Sequence, residues 1–313
     1  MRYGLVAWCG LLIALAGLAR ALADEPPAVE KPEQEVKPKV YDEQADAQEQ
    51  IAAALKIANR DDKRVLLVFG GNWCGWCIKL HKAFDENHEL SRLLRYEYSV
   101  AWIDSQQLKE HKDLDNSFGE RIGKHGVPFL VVLDRDGAVL TTQDTGSLED
   151  GPKHDSEKVI AFLKAWVVPP SDAEKLLADA QSRARAEDKS VFVYFSTPTC
   201  GWCLKLTDFL AAYAAAFDRD YVSIKIDLVR MTNSREVAKR LGCEERKGVP
   251  WEAVVDGKGD LLATSDGPEG NIGYPATTSE IGHFMSMLKK TARHATPEQI
   301  AEIDAALRRA APQ

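Results

Sequence analysis

The chain has 313 residues, 45% of them hydrophobic and 28% charged, which is enough apolar material for a sizeable core and more length than one ordinary domain needs. Forty-eight acidic residues against 40 basic ones give a net charge of −8. That balance argues against nucleic acid or an anionic membrane as a partner.

Residues 1–23 carry Arg2, an apolar stretch from Leu5 to Ala19, and Ala21-Leu22-Ala23 with the small-x-small form of a cleavage site. They are predicted to be a signal peptide cleaved after Ala23, so the mature protein is expected to be periplasmic or otherwise extracytoplasmic. The apolar stretch is about 15 residues, short of the roughly 18–20 needed to span a bilayer. A retained anchor is the alternative, and no stable membrane insertion is expected after cleavage. Residues 24–41 hold four prolines, alternating charges and almost nothing apolar, as in a disordered or extended linker.

The remainder contains one pattern twice. A shift of 126 superimposes Lys63 on Lys189, Val65 on Val191, Phe69 on Phe195, and Cys74-Gly75-Trp76-Cys77 on Cys200-Gly201-Trp202-Cys203. Each copy opens with a helix: Ile51, Leu55 and Ala58 fall at helical spacing in the first, and Ser171-x-x-Glu174 reads as a capping box before Leu176, Leu177 and Ala180 in the second. The runs 64–69 and 190–195 are short, continuously apolar and rich in β-branched and aromatic residues, the pattern of central strands covered on both faces. The cysteine motif and a helix follow, then strands at 98–104 and 221–227. Segments 126–137 and 248–259 read as strands entering tight Asp-Gly hairpins. The closing helices carry Val159, Phe162, Leu163 and Trp166, and Ile281, Phe284, Met285 and Leu288. The order per copy is αβαβ(α)ββα, placing domains at 42–168 and 169–293. Residues 294–313 read as an amphipathic tail helix, in which Thr296, Pro297 and Gln299 supply cap, first-turn proline and capping-box partner.

Two C-x-x-C pairs admit three chemistries. A shared zinc site is disfavoured because 122 residues separate Cys77 from Cys200, against roughly 12–20 in compact zinc modules. A structural staple closing so small a loop removes little entropy from the unfolded chain. A redox dithiol fits the placement. At a strand-to-helix junction Cys74 and Cys200 meet unsatisfied N–H groups and the positive end of the helix dipole, which favour thiolate. Cys77 and Cys203 fall in the first helical turn, near enough to attack a mixed disulfide. Gly75 and Gly201 permit the turn. Trp76 and Trp202 would shield the pair or touch substrate, with ordinary surface packing as the other reading.

Strand, C-G-W-C, helix, strand, then Gly-Val-Pro before another strand and hairpin resembles the thioredoxin superfamily over both repeats, about 250 residues. The resemblance implies an α/β fold class: two tandem thioredoxin folds, each a central mixed β-sheet flanked by helices. It implies that Cys74 and Cys200 are nucleophiles and Cys77 and Cys203 resolving thiols. It also implies that Pro128 and Pro250 are cis beside the sulfurs, with Val127 and Val249 offering backbone hydrogen bonds to an extended substrate. The function implied is thiol-disulfide oxidoreductase, acting on protein disulfides or dithiols with a separate partner supplying or removing electrons, and with no cofactor or metal beyond the disulfides. The alternative is a binding module holding client peptides or Cu(I).

Two departures stand out. Thioredoxins carry a buried carboxylate six residues before the first cysteine, where this chain has Val68 and Tyr194. Two residues beyond the proline, the second copy has Glu252 where the first has Leu130. Cys243, the odd thiol, reads as an inert core cysteine or a relay thiol. His81, Lys79 and Lys205 read as solvated helix positions, though the lysines, present in both copies, could also favour thiolate.

Overall fold

The computed structural model describes residues 39–110, 120–244 and 247–311, together with Leu114, Asn116 and Ser117. The expected signal peptide and most of the expected linker lie outside the described residues, as do the last two positions of the chain. From Lys39 on, the described chain belongs to one compact unit.

Each repeat builds a four-stranded sheet around its apolar run. In the first, β1 (Arg64–Gly70) pairs in parallel with β2 (Tyr98–Asp104) and antiparallel with β3 (Phe129–Leu133), which pairs antiparallel with β4 (Val139–Asp144). Two short pairs interrupt the numbering: β5 (Glu149–Asp150) with β6 (Lys153–His154) here, and their counterpart in the second repeat. The second sheet repeats the order with β7 (Ser190–Ser196), β8 (Tyr221–Asp227), β9 (Trp251–Val255) and β10 (Leu261–Thr264), followed by β11 (Asp266–Gly267) and β12 (Gly270–Asn271). Both runs are therefore interior strands, which explains their lack of polar alternation.

Side chains alternate across β1. Val65, Leu67 and Phe69 pack toward α1 (Ala47–Asp61), whereas Leu66 and Val68 pack toward α2 (Gly75–Glu86), α3 (His88–Glu97) and α5 (Ser156–Lys164), with α4 (Glu120–His125) on the α1 side. In the second sheet Val191, Val193 and Phe195 face α6 (Ala173–Ala186) and α9 (Ser234–Leu241). Phe192 and Tyr194 face α7 (Gly201–Ala212), α8 (Ala214–Phe217), α10 (Thr278–Thr291) and the tail helix α11 (Pro297–Ala310). The tail packs back on this layer through Ile303, Ala306 and Leu307, and its capping box forms as the sequence indicates.

Several local expectations need correcting. The cap of α6 is Asp172, whose carboxylate accepts the N–H groups of Glu174 and Lys175, so Ser171 lies one residue too early. The helix after each motif is broken. Asn87 stops α2 and its side chain caps α3, while Tyr213 separates α7 from α8. α5 ends at Lys164, so Trp166 lies past it, accepting a hydrogen bond from Arg64 Nε on its carbonyl. Tyr41, the last residue of the expected linker, is only 1% exposed.

The halves are joined by cations of the second reaching main-chain carbonyls of the first. Arg230 donates to the carbonyls of Asp61 (2.7 Å), Asp62 (2.9 Å) and Tyr96 (3.4 Å), and Lys225 to that of Arg60 (3.1 Å). Arg230 also holds the buried Asp227 carboxylate at 2.7 Å. Truncation to Ala would remove the donor to Asp227 Oδ2 and to three carbonyls, leaving Asp227 Oδ1 on the N–H groups of residues 229 and 230. Arg230→Ala should lower the unfolding free energy in urea by roughly 2–4 kcal/mol, with Arg230→Lys recovering only part, because an ammonium cannot reproduce the guanidinium fork.

Candidate redox sites

Both motif pairs are disulfide-bonded, with Cα atoms 5.3 Å apart for Cys74–Cys77 and 5.2 Å for Cys200–Cys203. Cys74 is the N-cap of α2 and Cys200 of α7, in extended backbone conformation, and each Sγ accepts the N–H of the cysteine three residues on at 3.1 Å. The helix start thus supplies each outer sulfur with a donor and a positive field, which stabilises negative charge there. The inner sulfurs are shut away: Cys77 is 0% and Cys203 1% exposed. Of the outer cysteines, Cys200 is half-buried and Cys74 is buried, at 7% exposed.

Opposite each outer sulfur lies the Gly-Val-Pro loop. The peptide bonds Val127–Pro128 and Val249–Pro250 are cis, and the preceding Gly126 and Gly248 have φ of 80° and 75°, a region that favours glycine. The Val127 carbonyl lies 3.6 Å from Cys74 Sγ, and that of Val249 3.4 Å from Cys200 Sγ. The structure thereby brings together Cys74, Cys77, Val127 and Pro128 in one half, and Cys200, Cys203, Val249 and Pro250 in the other.

The tryptophans of the two motifs differ. Trp76 is half-buried and edge-on to His154, at 5.3 Å between centroids. Burial, with Lys79 nearby, holds that imidazole below its ordinary pKa. Trp202 is exposed and stacks on Tyr274 at 5.9 Å. The lysine shared by both motifs lies over these rings, Lys79 at 4.2 Å and Lys205 at 4.3 Å, a cation–π contact at i, i+3 on one helix. His81 pairs with Asp85 at 3.1 Å and lies against Trp102. Cys243 is buried, and desolvation pushes its thiol up to about 11, so it is a poor nucleophile at neutral pH. It sits at the wall of a largely apolar cleft of about 650 Å³ shared with Thr197, Leu228, Val229 and Val249.

Beneath the motif helices the halves diverge. In the first, Val68 pairs with Leu130 across β1 and β3, and both are wholly apolar and fully buried. In the second, Tyr194 pairs with Glu252. The Tyr194 hydroxyl lies 3.2 Å from Thr207 Oγ1, which donates to the Cys203 carbonyl at 2.9 Å. Glu252 shares that sheet face, is 0% exposed, and neither carboxyl oxygen has a hydrogen-bond partner. Ser265, its neighbour, accepts the Glu252 N–H and commits its own proton to Asn271 Oδ1. Burial pushes the Glu252 carboxyl up to about 8. Sequence reasoning found the residue but not its setting. Its only signal was a carboxylate in an otherwise apolar strand.

A family model described as a thioredoxin-like domain matches residues 51–153. Protein disulfide-isomerase tigA of Aspergillus niger is 25% identical over 243 residues, covering 77% of this chain and 62% of its own. Disulfide bond reductase DsbH of Chlamydia pneumoniae is 27% identical over 97 residues, 29% of this chain and 58% of that protein. The chain thus spans about three fifths of the length of these two relatives. A solved disulphide isomerase from Xylella fastidiosa Temecula1 is 33% identical, covering 41% of this chain and 96% of that one, with a TM-score of 0.36.

Between the ordinary carboxyl pKa of 4.5 and about 8, folded Glu252 holds a proton that the unfolded chain releases. Stability from this group is complete below that window and is lost as pH rises through it. Urea titrations should show an unfolding free energy falling by on the order of a few kcal/mol between pH 5 and 8, and Glu252→Gln should flatten that slope.

Proposed function

We propose that this chain, which belongs to the thioredoxin superfamily, is an extracytoplasmic thiol-disulfide oxidoreductase that acts on protein disulfides through both of its dithiols. The observation that carries the reading is the twice-repeated juxtaposition of a helix-capping sulfur with a Gly-Val-Pro loop carbonyl 3.4–3.6 Å away. The predicted signal peptide supports export, and an oxidising compartment suits the disulfides.

In the reducing direction, the Cys74 or Cys200 thiolate attacks one sulfur of a client disulfide, expelling the other as thiolate and forming a mixed disulfide. Cys77 or Cys203 then loses its proton and attacks the capping sulfur. The client leaves as a dithiol, and the motif keeps the new disulfide. Two electrons have passed to the client, and a separate dithiol partner must return them. The same exchange reversed oxidises a client dithiol.

The client segment lies extended along residues 126–128 or 248–250, where main-chain groups of Val127 and Val249 can pair with it and the neighbouring prolines carry no N–H. Beside the second site, Trp202 and the apolar cleft offer contact for nonpolar client side chains. Glu252, paired with Tyr194 on the sheet face beneath α7, is the group assigned to take the Cys203 proton during resolution, through the fraction of it that is ionised as pH approaches about 8. The first half has no such carboxylate at Val68 or Leu130.

Cys77→Ser and Cys203→Ser should each accumulate client adducts, on Cys74 and Cys200 respectively, visible on non-reducing gels and lost on adding dithiol. Glu252→Gln should slow resolution at the second site roughly tenfold or more without preventing adduct formation. Absence of adducts from both serine variants, together with no insulin reduction and no dithiol oxidation, would sink the assignment.

A further inference from the structure

The first dithiol carries a residue over it that the second lacks. Tyr41 packs in one cluster with Cys74 and Cys77, bordered by Val40, Trp76, Trp102 and Val127. Its ring meets Trp102 edge-on at 5.6 Å. A Cβ placed on Gly70 would lie 2.2 Å from the Tyr41 hydroxyl and 2.8 Å from Cys77 Sγ, so hydroxyl and inner sulfur converge on one point that only glycine leaves open. The hydroxyl is buried and has no hydrogen-bond partner in the oxidised protein. Burial, reinforced by the neighbouring Asp104 carboxylate, keeps it protonated, and therefore a donor.

The segment is fixed by one side chain. Asn72 Oδ1 accepts the N–H groups of Val40 and Tyr41 at 2.9 and 3.0 Å, and its Nδ2 donates to the Tyr41 carbonyl at 2.8 Å and to Glu43 Oε1 at 2.9 Å. The amide does for residues 40–41 what a neighbouring strand would do. At the shift of 126, Gly70 becomes Ser196 and Asn72 becomes Pro198, so the second site lacks both the space and the clamp.

We propose that Tyr41 is a positioning residue whose hydroxyl donates a hydrogen bond to the Cys77 sulfur once the first disulfide is reduced, shifting that couple toward the dithiol. This rests on the redox reading above. In the step, an incoming dithiol gives up two electrons and two protons and becomes a disulfide. The Cys74–Cys77 bond breaks, the electrons go to its two sulfurs, and the protons go to those sulfurs or, for Cys74, to solvent. The hydroxyl is unsatisfied while the sulfurs are bonded and satisfied when they separate. An unmade buried hydrogen bond penalises the state that leaves it unmade, which here is the disulfide.

The test is glutathione equilibration of the full chain with Cys200→Ser and Cys203→Ser, so that only the first couple is read. Tyr41→Phe keeps the ring and removes the donor. It should shift the equilibrium about five- to tenfold toward disulfide, about 20–30 mV for two electrons. Asn72→Ala, which frees the segment, should shift it the same way and speed alkylation of reduced Cys77. In the converse background, Cys74→Ser and Cys77→Ser, Tyr41→Phe should leave the second couple unmoved. Exchange by both couples with the first unmoved by Tyr41→Phe would overturn the inference alone. Failure of the first couple to exchange with glutathione at all would remove the redox reading of that site, and the inference with it.

Discussion

A helix cannot begin without leaving backbone N–H groups unsatisfied, and in this protein a sulfur satisfies one of them at each of two helix starts. Everything else about the sites depends on where that start is held. β1 and β7 are the interior strands that feed the motif helices, each paired on both sides and covered on both faces, so their ends have little freedom. The antiparallel neighbour, β3 or β9, begins directly after the cis proline, which sets the loop carbonyl beside the capping sulfur. One sheet register therefore fixes both walls of the site.

On this common frame the surroundings of the inner sulfurs have diverged. Under α2 the sheet presents Val68 and Leu130 at the paired position, while above it Tyr41 closes over Cys77. Under α7 the sheet presents Tyr194 and a buried carboxyl, and Ser196 stands where Gly70 makes room for the tyrosine. The polar group that approaches the first dithiol comes from outside the repeat, and the one beneath the second comes from a neighbouring strand. Conserving the capped helix while changing what lies above and below it is an economical way to give two dithiols different electrostatics.

What could be read from the residues was what they encode locally. Continuous apolar runs, Asp-Gly hairpins and the cap of the tail helix depend on neighbours a few positions away, and these elements formed as the sequence indicates. The failures were of two kinds. Ser171 and Asp172 are both good caps, and only the bonds to Glu174 and Lys175 decide between them. Tyr41 looked like part of a linker because its partners, Asn72 and Cys77, lie about thirty residues away. Glu252 was visible as an oddity, yet its position beneath α7 depends on the pairing of β9 with β7, which no short window contains. The repeated lysine had a local explanation in the tryptophan three residues earlier.

The joint between the halves has a further property. Arg230 and Lys225 grip peptide oxygens of residues 60–62 and 96 rather than particular side chains. Substitution at those four places leaves the peptide acceptors in position, provided the turn around Asp62 keeps its left-handed conformation. A duplicated protein built this way can let its two copies drift apart in sequence without loosening the seam between them. On the first half's side the Arg60 side chain adds to the contact, through an ion pair with Asp208 at 3.6 Å.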